Sequence, residues 1–130
     1  MKAHPVLLWI LRILPALILL QTLYFKFTGS PESMFIFSKL GMEPYGRIGT
    51  GVAELIASVL LLIPRTTWIG ALLSMGIIAG AILSHLFVLG IEIMDDGGYL
   101  FILGIIVFVC SASLVWMYRK NIPVLNRLAK

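Results

Sequence analysis

Apolar residues run through this chain in four long blocks separated by short polar or glycine- and proline-containing intervals. The first extends from Pro5 to about Phe27 and contains the run Ile13 to Leu20. The second runs from about Tyr45 to Ile63 and stops at Pro64-Arg65. The third covers Thr67 to about Gly90, and the fourth Gly98 to about Tyr118. A membrane-crossing helix needs about 20 mostly apolar residues, and open sheet edges have no place in hydrocarbon. The pattern therefore predicts an all-α integral membrane protein, a transmembrane bundle of four helices. The first block is too long for the apolar stretch of a signal peptide, and no small-x-small cleavage site follows it.

The intervals differ in kind. Only Pro64 to Thr66 separates spans two and three, which must form an antiparallel hairpin. Ile91 to Gly97 makes a short acidic loop between spans three and four. The interval between spans one and two is longer and semi-apolar, with Met34, Phe35, Ile36 and Phe37 in a row. It predicts a short amphipathic helix that lies on the membrane or folds back over the bundle. Pro31 suits its start and Gly41 its end.

Composition reinforces the spans: 60% of the 130 residues are hydrophobic, 12% are charged, and the mean hydropathy is +1.04. Too few polar residues remain to coat a soluble core. The length suits a single transmembrane domain over residues 1–130. The formal net charge of +4 sits mostly in the tails beside apolar segments, which points to membrane orientation rather than to nucleic acid. Lys2, Arg12, Arg65, Arg119, Lys120, Arg127 and Lys130 fall on one side. Lys26, Lys39 and Arg47 share the other with Glu32, Glu43, Glu92, Asp95 and Asp96. The positive-inside rule then places both termini in the cytoplasm, with residues 121–130 as a basic tail along the anionic lipid surface. Trp9, Trp68, Trp116, Tyr24, Tyr45 and Tyr118 fall where interfacial aromatic belts are expected.

Three ionisable residues stand out within the spans: Lys26, Glu54 and His85. Such groups are costly in hydrocarbon and need a partner, water or a role. Counted from the ends of their helices, Glu54 lies roughly 13 Å deep and His85 roughly 8 Å deep. Lys26 starts shallower and can reach inward along its stem. All three belong to the outer half and are expected to converge there.

Helical spacing groups Arg47, Thr50, Gly51, Ala57 and Ser58 with Glu54, and Gly70, Ser74, Ile78 and Ala81 with His85. On span one it aligns Arg12, Pro15, Leu19, Thr22 and Lys26, with Gln21 on the opposite face as a candidate oligomer contact. These faces predict an outward polar pocket bounded by the first three helices, with Lys26, Glu54, His85, Arg47, Thr50 and Gly51 as its residues. A Lys26–Glu54 pair bonded by His85 could serve packing alone or a ligand, proton or partner, and the residues leave both open. Gly76, Gly80 and Ser84 form a small-xxx-small pattern expected to bring helices together within the chain.

Other chemistries are set aside. Cys110 is the sole cysteine, so no internal disulfide or Cys-x-x-Cys pair exists, and it reads as a small apolar helix residue. His4 and His85 lie at opposite ends and cannot share a haem, and no histidine–cysteine cluster offers a metal site. No nucleotide-binding or nucleophile motif is present. No catalytic residue is assigned, and no activity is expected of the chain alone.

Phe25-Lys26-Phe27-Thr28-Gly29, Gly51-Val52-Ala53-Glu54-Leu55, the tight turn at Arg65 and His85 late in span three together resemble the DoxX-like family. The resemblance covers roughly Leu11 to Tyr118. It implies a four-helix protein of the bacterial inner membrane. The family takes its name from a membrane subunit associated with thiosulfate:quinone oxidoreductase, other members look like accessory partners of redox enzymes, and distant relatives include a receptor-assembly chaperone. Lys26, Glu54 and His85 match the family's recurring polar positions. The lack of a cysteine pair argues against intrinsic disulfide chemistry.

Two functions follow as expectations. One is an accessory or assembly subunit whose pocket engages a membrane protein partner or lipid, with a homo-oligomer allowed. The other is a subunit of a membrane redox complex that binds quinone or a small lipid. A transporter ranks last, since no inverted repeat is visible.

Overall fold

The computed structural model describes residues 5–93 and 96–122. Four long helices dominate: α1 (Pro5–Thr28), α3 (Tyr45–Leu62), α4 (Thr67–Ser84) and α5 (Tyr99–Met117). A short helix, α2 (Pro31–Lys39), follows α1. A five-residue π-turn, His85–Leu89, extends α4. The four long helices are long and apolar enough to cross a membrane, and no strand occurs among the described residues. Of the basic tail expected at 121–130, the segment from Pro123 onward lies outside the described residues.

Helices α1 and α4 each pack against α3 and α5, so the bundle closes as a ring. Ala16, Leu19, Ala57, Leu61, Ala71, Ile78, Val107 and Leu114 fill its centre. Val6, Leu17, Ile56, Val59, Ile102 and Val109 stand on the outside. In water such a surface would aggregate; in a bilayer it meets lipid at no loss.

The turn between α3 and α4 defines one end of the bundle, here the turn end. Arg12, counted from the sequence among the charges of one side, lies there inside the bundle. It is 2% exposed. Its Nε donates to the Leu61 carbonyl at 2.9 Å and its Nη2 to the Leu62 carbonyl at 2.8 Å. A helix leaves its last carbonyls unpaired, and a guanidinium with five N–H donors fits them well. The Trp9 ring lies 3.9 Å from the guanidinium carbon. Thr66 donates to the Leu60 carbonyl and Thr67 to that of Ile63, so the turn carries its own polar partners.

Gly70 lets α4 approach α3 closely at this end, since a Cβ there would fall 2.6 Å from the Leu61 nitrogen. Gly76 and Gly80, expected to pack helices together, do not. Both are exposed, and a Cβ at either would meet nothing within 4 Å. The helices meet tightly at Gly70, while Gly76 and Gly80 border open space. Between α4 and α5 the contact is polar at one point, where the buried hydroxyls of Ser74 and Ser111 lie 2.7 Å apart. Cys110 is buried within α5.

At the opposite, loop end, the Ser30 hydroxyl accepts from the Ser33 amide and Pro31 opens α2, as the sequence suggested. Gly41, at φ +73°, ends the segment. Helix α2 buries Ser33 and Phe37 and touches α1, α3 and the π-turn. It folds back over the bundle, the second of the two placements expected. The α4–α5 loop is shaped by Asp96, whose carboxylate accepts from the amides of Ile93, Gly98 and Leu100 at 3.0, 2.8 and 3.3 Å. Burial pushes its pKa up, but these amides and that of Tyr99 outweigh it and hold the carboxyl below the usual aspartate range.

The two classes of glycine separate on substitution. Gly70→Val forces side-chain atoms onto the α3 backbone, and a loss of about 1–3 kcal/mol is expected. Gly76→Ala keeps or raises stability, because alanine suits a helix better by about 0.5–1 kcal/mol. Thermal unfolding of the purified variants in detergent checks both; a Gly70→Val protein as stable as wild type would contradict the close approach.

Candidate functional site

Lys26 lies in the last turn of α1, and Glu54 lies mid-way along α3, which runs back beside it. The Lys26 Nζ is 2.6 Å from Glu54 Oε1, with the two side chains 16% and 2% exposed. Thr22, one turn before Lys26 on the same face of α1, places its hydroxyl 2.5 Å from Glu54 Oε2. That hydroxyl is also 3.0 Å from the Leu19 carbonyl. Its single proton goes to the carboxylate, the stronger acceptor. Oε2 therefore has a hydroxyl donor from α1, while Oε1 is held by the charge of Lys26 without a hydrogen bond of good geometry. Ser58, one turn on in α3, donates to the Glu54 carbonyl.

The other expected site residues fall in different places. Arg47 is turned away from the pair. Its Nε bonds both carboxylate oxygens of Glu43, and its Nη1 bonds the Lys26 carbonyl. It thus ties the end of α1 to the start of α3. Gly51 is buried where a Cβ would strike the Phe27 ring, so its role is helix contact. Thr50 lies in the wall of a cavity, together with Lys26, Glu54 and His85.

That cavity has a volume of about 920 Å³ and occupies the loop end of the bundle. All five helices contribute to it: Thr22 from α1, Phe37 from α2, Ala53 from α3, Ala81 from α4 and Phe101 from α5. The expectation of a pocket bounded by the first three helices was too narrow. Its walls are mainly apolar, with a polar cluster at Thr22, Lys26 and Glu54. Concave, mostly apolar surfaces with a few placed polar groups are typical of small-molecule sites.

His85 joins the cavity but not the ion pair, contrary to expectation. Its Nδ1 lies 2.9 Å from the Ala81 carbonyl, one turn back on α4. Its Nε2 is buried without a hydrogen-bond partner among the described residues. The ring packs edge-on against Phe101, with centroids 5.5 Å apart. The residue sits where α4 passes into the π-turn, closed by the Gly90 amide bonding the His85 carbonyl at 2.7 Å. Such insertions recur at functional sites.

Sequence reasoning missed the contribution of α5. That helix carries no charged residue and little amphipathic pattern, so nothing marked which side would face the cavity. It put Thr22 on the same pocket-forming face as Lys26 but did not name it as a partner of Glu54.

A buried ion pair is far costlier to break than to replace. Glu54→Ala and Lys26→Ala are each expected to lose about 3–5 kcal/mol, since each strands a charge in an apolar setting. The double variant Lys26→Met/Glu54→Leu should recover most of that loss. Unfolding of all three in the same detergent measures the coupling, and additive losses would show that the two side chains do not act as a pair.

Comparison with known proteins places the chain. No curated protein and no solved structure matches it. The model of the DoxX-like family matches residues 10–109, a segment that begins in α1, ends in α5 and contains Lys26, Glu54 and His85. The chain belongs to the DoxX-like family and is a multi-pass membrane protein.

Proposed function

We propose that this protein is a non-catalytic accessory subunit of the bacterial inner membrane whose cavity holds a lipid-soluble small molecule of quinone size. The observation that carries this reading is the cavity itself. About 920 Å³ of mostly apolar space adjoins a buried ion pair and an imidazole nitrogen without a partner. Packing alone explains the Lys26–Glu54 pair, but leaves both the space and the open nitrogen without a purpose. An amphiphile with an apolar body and one polar head matches that distribution. With both termini in the cytoplasm, as the Lys and Arg asymmetry indicates, the cavity lies in the outer half of the bilayer. A redox partner supplying or consuming a quinone is the more specific form of this reading.

Binding is tested with decylubiquinone, in its oxidised and reduced forms, on protein held in phosphatidylcholine nanodiscs. Saturable binding of at least one form is expected. Ala53→Phe and Ala81→Phe place a ring in the cavity and should each weaken it at least about tenfold, or 1.4 kcal/mol. Non-saturable partitioning, or binding indifferent to both fillings, would overturn the proposal.

Orientation is tested by an impermeant maleimide on membrane vesicles. A cysteine at Lys39 should label in right-side-out vesicles, and one at Lys120 in inverted vesicles. The reverse pattern would place the cavity in the cytoplasmic half.

A further inference from the structure

The hydrogen bonding of His85 specifies more about the ligand than the cavity does. The Ala81 carbonyl can only accept, so the Nδ1 that lies 2.9 Å from it carries the ring proton. In the neutral imidazole Nε2 is then a bare lone pair, an acceptor. The residue is 7% exposed, and Nε2 is sealed from water.

No described residue donates to Nε2, although the cavity wall also carries the hydroxyls of Ser33, Thr50 and Tyr99. The Thr22 proton is committed to Glu54, and the Lys26 ammonium faces the same carboxylate. Phe101, the ring packed against His85, has no N–H or O–H to offer. A buried acceptor left unpaired is unfavourable. Nε2 therefore lacks one thing, an O–H or N–H donor arriving from the cavity.

We propose that the ligand of this cavity carries a hydroxyl group that donates to Nε2 of His85. This rests on the reading of the cavity as a small-molecule site and adds the chemical class. A lipid-soluble alcohol, phenol or quinol satisfies Nε2. A ketone, an ester, an ether or the oxidised quinone presents only acceptors and leaves two lone pairs facing each other. The site accordingly reads the reduced, hydroxyl-bearing member of a quinone couple in preference to the oxidised one. Nε2 is closed off, so a side chain of the cavity wall must shift to admit the hydroxyl.

The test uses a redox-inert pair, 4-decylphenol and its methyl ether 4-decylanisole, on protein in phosphatidylcholine nanodiscs. The two share a body and differ by one donor. Wild type should prefer the phenol at least about tenfold after correction for lipid partitioning. His85→Phe keeps an aromatic ring and removes the acceptor, so it should bind both alike. On wild-type protein labelled with ¹⁵N-histidine, the Nε2 resonance of His85 should move on adding the phenol and stay in place with the ether. This readout needs no variant to fold. Equal binding of the two by wild type, a preference that persists in His85→Phe, or an unmoved Nε2 resonance would each overturn the hydroxyl assignment and leave the cavity reading intact. Binding of neither compound nor of decylubiquinone would remove both.

Discussion

The bilayer interior offers no water, so each polar group carried into it must find its partner within the protein. That requirement organises this bundle more than any single apolar contact does, because the lipid tails are as apolar as the core. Arg12 shows it at the turn end, where a guanidinium buried to 2% exposure is spent on the terminal carbonyls of α3. Thr66 and Thr67 do the same for neighbouring carbonyls. At the loop end, Glu54 is answered twice from α1, by Lys26 and Thr22.

The two ends are built differently for that reason. The turn end is closed, with Gly70 against the α3 backbone and every named polar group committed locally. At the loop end Gly76 and Gly80 face open space instead of a neighbouring helix, and the cavity lies among all five helices. Small residues thus act in opposite ways along one helix. Where a neighbour is held by hydrogen bonds, glycine permits contact; where none is held, it leaves room. Ion pair, α2 and Asp96-shaped loop frame that room.

Much of the site was legible because ionisable residues are rare in apolar segments. Among those in the spans Lys26, Glu54 and His85 stood out, and counting helical rise put all three in one half of the bilayer. The pairing of Lys26 with Glu54 follows from opposite charge and reach. His85 was expected beside the ion pair and lines the same cavity, but its hydrogen bond goes elsewhere. Its Nδ1 found the Ala81 carbonyl one turn away, a local bond open to any helical histidine, and spacing alone does not rank that against a distant carboxylate. Arg47 and Gly51 share a helical face with Glu54, yet one is drawn to Glu43 and the other to the Phe27 ring. A face is about a third of a helix wide, and only the packed neighbours choose among its members.

Hydrophobic run length alone determined that four helices cross a membrane, because about 20 apolar residues in a row have no other stable placement there. Punctuation by Pro31, Gly41 and Pro64 determined where the short helix and the tight turn fall, since these residues restrict backbone angles locally. Tertiary structure decided what has no local signature. It set Arg12 on carbonyls some fifty positions away, brought the uncharged α5 to the cavity wall, and left Nε2 of His85 without a donor. Each of these depends on which surfaces meet when the helices close into a ring, and a linear pattern records periodicity within a helix but not the identity of the neighbour across from it.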